Sequence, residues 1–535
     1  HVLGKRDKAV EQYHCLCQAL RRLLDLEPLP ETRALYLDIR DGSLTVDGPN
    51  YWLTSAQKTT AQAVPHGPFV GREPEQSELG KALESATRGY GCLAVVKGEG
   101  GVGKTRLIEE FLYWASSSPV LILRSRCYAQ EQASSYQPII DALRTYLSIA
   151  DPSYMKRLDN LWLAEVAKLL PELHNYLPRL PVSPALLADH ERNRLYEGLA
   201  QFIAHLGQRE PLVLFLDDFH TADEPTFDLI HYLGRRLASA RVLIILALQR
   251  EALPDRPSLT GLLHELERGS RLVTIPLARL SEKEVLELVH RTLGRTVELD
   301  ELGSRLHLET GGNPFFLVEM LKECQESKGV SSGVPAVPSS VRDVIQRRLN
   351  RLDDEDVRVL TMAAVIGCQF NSTTLQQVYA GDELDLLKVL DRLLSRGWIV
   401  ELPGVNPGTY DFSHGLVRDA VYDTLRGDWR QCLHRRAGLA LESRASATDE
   451  MAGVVAHHFW RACDVDKALR YSLHAAAHAR GLYANREAIA HYQRALDIAE
   501  QADKALSATE WLEIQYQLGQ AYEFLGEYDT AIAIY

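Results

Sequence analysis

Between residues 5 and 26 the apolar side chains Ala9, Tyr13, Leu16, Leu20 and Leu23 return every three or four positions, the period of a helix with one buried face. Pro28 and Pro30 end that helix, and a second short one is predicted over residues 32–39. A polar stretch carrying Pro49, Pro65 and Gly67 reads as a linker. From Phe69 to about Leu253 the pattern changes to short, continuous apolar runs separated by helical stretches. Runs at residues 92–96, 120–123, 212–216 and 242–248 are predicted to be buried parallel strands, because such strands are covered on both faces. Beyond them the period is helical, with breaks at residues 311–314, 329–338 and 403–408. Strand-like pieces at 398–402 and 409–412, flanked by helices, predict a winged-helix type of arrangement. After about Arg430 short Ala-rich helices are expected. Ala468, Tyr471, Ala475 and Ala479, then Ala488, Tyr492 and Ala495, then Gly519, Tyr522, Gly526 and Ala531 pair small residues with aromatics. That pattern marks tetratricopeptide-like helical pairs, although a plain Ala-rich bundle would look similar.

The chemistry is concentrated where the first apolar run ends. Gly98-Glu99-Gly100-Gly101-Val102-Gly103-Lys104-Thr105 fits GxxxxGK[ST] between a predicted strand and a predicted helix over residues 106–115. Gly98, Gly100, Gly101, Val102 and Gly103 would turn backbone amides toward phosphates, and the following helix, beginning near Arg106, would present its positive end to them. Lys104 supplies a point charge, and Thr105 a hydroxyl for Mg²⁺. A chance Gly-rich turn is the competing reading. A second motif weighs against it: residues 212–216 form an apolar strand that delivers Asp217 and Asp218. Asp217 is placed to hold the magnesium shell with Thr105, and Asp218 to orient or deprotonate a water. Alone, those acids would read as the solvent-exposed end of a strand. Arg250 follows the run 242–248 and should emerge on the same sheet edge, either as a γ-phosphate sensor or as a surface arginine. The cofactors expected are therefore ATP or ADP with Mg²⁺.

Bulk properties narrow the partners. A chain of 535 residues is several times the size of one core, and 46% hydrophobic with 24% charged residues is ordinary folded composition. A formal charge of −13 argues against a general nucleic-acid binder, so DNA contact is expected only through a domain outside this chain. Eight cysteines are scattered, and the spacing of Cys15 and Cys17 suits neither a zinc knuckle nor a CxxC pair, so all eight read as reduced thiols. No apolar run reaches the roughly 18 residues that span a bilayer, and no secretory leader pattern opens the chain. A cytoplasmic protein without a membrane partner is expected. Since His1 and Tyr535 both fall inside helical patterns, a longer polypeptide is expected too.

Taken in order, Val70-Gly71-Arg72-Glu73, the phosphate loop, residues 216–224 and Thr310-Gly311-Gly312-Asn313-Pro314-Phe315-Phe316 resemble the signal-transduction ATPases with numerous domains, the STAND class. Within it they look most like the AAA-type ATPase module of large LuxR-type and SARP-type bacterial transcriptional regulators. The resemblance spans roughly residues 67–422. It implies that Gly71, Arg72 and Pro314 help enclose adenine and ribose. Asp411-Phe412-Ser413-His414-Gly415-Leu416-Val417-Arg418 is similar to the family's Phe-x-His-Asp-Leu-Val-Arg motif, whose histidine is expected to reach the ADP β-phosphate. Here Gly415 stands where the family has Asp, and His414 also reads as an ordinary histidine at a helix start. Residues 4–36 are similar to the end of the bacterial transcriptional activator domain.

The resemblance and the pattern together give a multidomain α/β plus α chain. Its expected parts are the end of an activator domain (1–45), a linker (46–66), a P-loop NTPase α/β domain with a parallel sheet (67–255), a helical lid (256–328), a linker (329–340), a winged-helix domain (341–430) and TPR-like repeats (431–535). The function implied is a switch: ADP holds the parts closed, ATP favours an open, self-associating form, and slow hydrolysis resets it. A protein or small-molecule effector is expected on the C-terminal repeats. Two other readings stand beside it, the regulatory middle of a nucleotide cyclase or protein kinase, and a scaffold that nucleotide merely stabilises.

Overall fold

The continuous apolar runs become one parallel sheet. The computed structural model describes residues 67–128, 135–148, 152–181, 188–268, 272–294, 297–326, 341–402, 408–445, 449–501 and 506–535. The expected activator remnant (1–45) and the linkers at 46–66 and 329–340 lie outside the described residues. Strands β1 (Cys92–Gly98), β2 (Leu121–Arg126), β3 (Leu212–Asp217), β4 (Val242–Gln249) and β5 (Leu272–Pro276) lie in the order β2-β3-β4-β1-β5, all parallel. Side chains alternate between the two faces. Leu212, Leu214 and Leu216 pack toward helices α3 (Gln137–Leu147), α5 (Ala188–Arg209), α6 (Glu224–Arg236) and α7 (Pro257–Arg268), with α4 (Asn160–Val166) behind them. Val213 and Phe215 pack toward α1 (Glu73–Thr87) and α2 (Lys104–Ala115) on the opposite face.

The fifth strand corrects the boundary expected at residue 255. β5 pairs with β1 from Leu93↔Leu272 to Lys97↔Pro276, so the sheet reaches into the interval that the helical period assigned to a lid. α7 belongs with the sheet as well, burying Leu259, Leu262, Leu263 and Leu266 in its core. The run was silent because β5 is an edge strand in which only Ile275 is buried.

Three helices follow, α8 (Glu282–Leu293), α9 (Val297–Thr310) and α10 (Pro314–Glu326), around a small core of Val285, Leu288, Leu306, Leu317 and Val70. A capping box between Ser281 and Glu284 fixes where α8 begins. Next, α11 (Val341–Leu349), α12 (Asp354–Ile366), α13 (Ser372–Tyr379), α14 (Glu383–Ser395) and α15 (Gly415–Asp423) surround a three-stranded antiparallel sheet. Its strands β6 (Gln369–Asn371), β7 (Ile399–Glu401) and β8 (Thr409–Phe412) run in the order β6-β8-β7. Trp398, Phe370 and Phe412 fill the core beneath.

The remaining helices are α16 (Gly427–Ala445), α17 (Ala452–Arg461), α18 (Val465–Gly481), α19 (Asn485–Gln501), α20 (Ala508–Phe524) and α21 (Tyr528–Ile534). They were expected to be short, yet α18, α19 and α20 each have 17 residues. Alanine is the best helix former, and its small side chain lets neighbours pack closely. The array is not separate from the sheet: Ala476, Ala479, Leu482, Ala488 and Ile489 share one hydrophobic cluster with α5, α6 and β3. Arg144 of α3 bonds both carboxylate oxygens of Glu450 at 2.8 Å, and Arg486 meets Glu224 at 3.3 Å. Among the described residues no helix is long and apolar enough to cross a membrane, and Cys368, Cys432 and Cys463 are free thiols.

Two buried acids meet at this junction. Asp223 caps α6, accepting from Thr226 N–H at 2.9 Å, and Glu487 of α19 accepts from the Glu224 amide while leaving Oε2 without a partner. Burial raises Asp223 to about 6, and burial together with Asp223 pushes Glu487 well above the usual carboxylate range. Folding therefore favours the protonated acids, so stability is fullest below about pH 4 for these two groups and is lost as pH rises through about 6 and beyond. Glu487→Gln should raise the thermal midpoint by about 2–4 °C at pH 8 and leave it unchanged near pH 4, as read by calorimetry at both values.

Candidate functional site

β1 ends at Gly98 and α2 starts at Lys104, so the intervening residues turn directly from a central strand into a helix. Gly101 (φ 77°) and Gly103 (φ 94°) take the left-handed conformation that side chains resist. A Cβ on Gly101 would also lie 2.8 Å from the Cβ of Phe315. Every carbonyl of the turn is taken by a donor. Lys104 Nζ donates to Gly98 O (3.1 Å) and Glu99 O (2.8 Å), Asn313 Nδ2 to Gly100 O (3.1 Å), and Phe315 N–H to Gly101 O (3.2 Å). Arg72 reaches Val102 O at 3.5 Å, and Leu107 N–H bonds Gly103 O at 2.9 Å. A turn anchored through its carbonyls offers its amides on the other side, which is the geometry of an anion-binding nest at a helix N-terminus.

Thr105 Oγ1 donates to Asp217 at 2.9 and 3.1 Å, so the hydroxyl and the carboxylate already share one point. Both are hard oxygen donors of the kind Mg²⁺ takes alongside phosphate and water. Burial and the adjacent Asp218 push Asp217 up to about 7. Asp218 also suffers burial, but the Arg126 guanidinium, at 3.0 Å through both Nε and Nη2, together with His220 and His414 outweighs it and holds that carboxyl below its ordinary value. Lys104 is buried, which lowers its pKa, and the two aspartates counter that shift.

The remaining candidates fall into distinct roles. Gly71 (φ 63°) and Arg72 (φ 74°) are consecutive left-handed residues, and a Cβ on Gly71 would meet the Glu284 carboxylate. Arg72 is buried and also donates to Ala278 O at 2.6 Å, bracing the loop against the segment after β5. Arg106 ties α2 to the preceding chain through Gly67 O at 3.0 Å. Pro314 begins α10, 4.0 Å from where a Gly103 Cβ would stand. Gly100 faces Gln249 Nε2 in the same way, at 3.1 Å. Gly98 is in register with Gln249, so Arg250 leaves β4 just past the level of the loop, on an exposed turn. His414 caps α15 by accepting from Leu416 N–H at 3.1 Å, and its ring lies 4.7 Å from that of Phe315. Burial, with Arg126 and Lys104 nearby, pushes it down to about 4, so at neutral pH it is an uncharged imidazole.

Sequence reasoning passed over several residues that the fold gathers here. Arg126 ends β2 and bridges Asp218 to Asp411, 3.2 Å away on β8; Tyr128 OH donates to the same Asp411 oxygen at 2.9 Å. Asn313 lay inside the motif from which only Pro314 was taken. Its amide also meets Glu99 Oε1 at 3.0 Å, and Arg279 clamps Glu99 at 2.6 and 3.0 Å, holding that carboxyl low. The available signal for Arg126 was the charge in the run Leu123-Arg124-Ser125-Arg126, which a strand buried on both faces would not carry without a partner.

Residues 68–245 match the model of the AAA ATPase domain, so the chain carries such a domain. An uncharacterized protein of Rhizobium meliloti (strain 1021) is 23% identical over 465 residues, covering 83% of this chain and 44% of that protein. Among solved structures, the chain is similar to a signal transduction ATPase with numerous domains and a tetratricopeptide repeat sensor from Pyrococcus horikoshii. That likeness has 15% identity and a TM-score of 0.48, and covers 87% of this chain and 63% of that one. It is also similar to the RuvB Holliday junction branch migration motor of Thermotoga maritima, with 15% identity, a TM-score of 0.28, and 64% and 92% of the two chains covered. The chain thus spans less than half of the length of the curated relative it matches.

Asn313→Ala removes donors to Glu99 and Gly100 and the acceptor for Phe315 N–H at a position that is 4% exposed. The substitution should cost about 1–3 kcal/mol in denaturant unfolding of the region it staples.

Proposed function

We propose that this chain is the nucleotide-operated switch of a signal-responsive bacterial transcriptional regulator of the STAND type. The observation that carries the reading is the convergence of three distant segments on one phosphate loop. Arg72 comes from the opening segment, Asn313 and Phe315 come from the start of α10, and His414 stands against Phe315 from the end of β8. A loop gripped by its neighbours can pass its own occupancy on to them.

In this reading Gly98 to Arg106 bind ATP or ADP, Thr105 and Asp217 hold Mg²⁺, and residues 341–430 act as a winged helix that closes over the site. Lys104, now on loop carbonyls, exchanges them for phosphate oxygens. His414, uncharged, offers a hydrogen bond to a phosphate without adding a cation. Asp218 is paired with Arg126 and held low, so it is a weak proton acceptor in this arrangement, in keeping with slow hydrolysis. Residues 431–535 are read as TPR-like repeats that carry the effector, with ATP favouring self-association. A ligand shifts such an equilibrium only through different affinities for its two states. Gene control would come from a DNA-binding part beyond this chain.

Lys104→Ala should weaken nucleotide binding about 10–100-fold, matching a lost charge-assisted contact of about 1.5–3 kcal/mol, as measured by titration calorimetry. Sedimentation of the wild type should give a larger or more extended species with a non-hydrolysable ATP analogue than with ADP. Identical profiles would sink the switch.

A further inference from the structure

Arg126 stands where the parallel sheet and the small antiparallel sheet exchange charge. Its Nε and Nη2 contact Asp218, its Nη1 contacts Asp411 at 3.2 Å, and Asp217 lies 4.0 Å away. Asp217 in turn accepts from the Thr105 hydroxyl, so a single carboxylate separates the guanidinium from the end of the phosphate loop. Asp411 belongs to the central strand of the small sheet, only 5% exposed, with one oxygen shared by Arg126 and Tyr128 and the other, Oδ1, without a hydrogen-bond partner. Arg126 is the cation that faces it, and burial raises the Asp411 carboxyl against that pull.

This geometry has a physical consequence. Removing one member of a buried ion pair strands the other, which costs far more than the pair itself contributes. A guanidinium fork matches phosphate oxygens as well as it matches carboxylates, so a further phosphate that reached Arg126 would compete with Asp411 for it. If Arg126 turns to that phosphate, Asp411 must reach water, and it can do so only if β8 and the adjoining His414 leave the site.

Resting on the nucleotide reading above, we propose that Arg126 is a positioning residue that distinguishes the triphosphate from the diphosphate and reports the difference to residues 341–430 by releasing Asp411. With diphosphate the Asp218–Arg126–Asp411 bridge stays closed. With triphosphate it opens.

The test compares wild type, Arg126→Gln, Arg126→Lys, Asp411→Asn and Lys104→Ala in the intact chain with Mg²⁺, using ADP and ATPγS as probes. Affinities come from calorimetry, and opening from amide hydrogen exchange over residues 409–422. In the wild type ATPγS should speed that exchange relative to ADP by about tenfold. Asp411→Asn should give the fast exchange with ADP while still binding both nucleotides. Arg126→Gln should do the same and change the ratio of the ATPγS and ADP affinities about tenfold, with Arg126→Lys restoring part of the ratio. Asp411→Asn is nearly isosteric and carries the test if Arg126→Gln does not fold. Exchange like wild type in Asp411→Asn, or equal weakening of both nucleotides in Arg126→Gln, would overturn the proposal. Weakened binding of both ligands in Lys104→Ala upholds the underlying site independently, whereas unchanged binding there refutes the nucleotide reading itself.

Discussion

A cradle made of backbone amides cannot brace itself, because the groups that would hold it are the ones it must offer. The turn after β1 meets this constraint by surrendering its carbonyls instead. Asn313, Phe315 and Arg72 take three of them from outside, Lys104 takes two from the loop's own end, and Leu107 takes the last as α2 begins. Three of those donors come from segments roughly 30 or 210 residues away, so the loop has no settled shape without its neighbours. The left-handed glycines are the local half of the same arrangement, and Phe315 and Asn313 fill the space that any side chain at Gly101 would need.

Electrostatics sharpens the picture at the strand ends. Asp217 and Asp218 are adjacent in sequence, the first buried and the second partly exposed, and they shift in opposite directions. Greater exposure of Asp218 is one part of the difference, and Arg126, which contacts Asp218 directly and stands back from Asp217, is another, with His220 and His414 adding to it. Unequal burial and unequal contact with a cation thus give two identical side chains separate chemistry, one a readily protonated acid beside a hydroxyl and the other an ionised partner in a bridge.

Much of this was legible in the sequence. Apolar runs located β1 to β4, and the spacing from Gly98 to Thr105 with the acids after Phe215 located the loop and its second motif, because those features are local. β5 was hidden, since an edge strand needs few buried residues and leaves no run. Arg126 was hidden for another reason: its partner Asp411 lies 285 positions away, and no window of sequence contains both. His414 could be named from a resemblance, but its packing on Phe315 and its neutral state follow from burial that only tertiary structure supplies. Helix length in the array was underestimated: α18, α19 and α20 each run for 17 residues, since alanine favours continuing the helix.

The apolar cluster that runs from β3 through α6 into α18 and α19 bears on how such a protein diversifies. Helical arrays are commonly pictured as interchangeable attachments, traded between chains to change what is sensed. Here Ala476, Ala479 and Ile489 are part of the same interior as Leu229 and Ile230, and the Asn485-Arg486-Glu487 turn is fitted to the start of α6. An array borrowed from a relative would bring the wrong surface to that helix. Inheritance of helical array and ATPase domain as a matched set, with novelty confined to the helices farthest from the sheet, is what a common interior imposes.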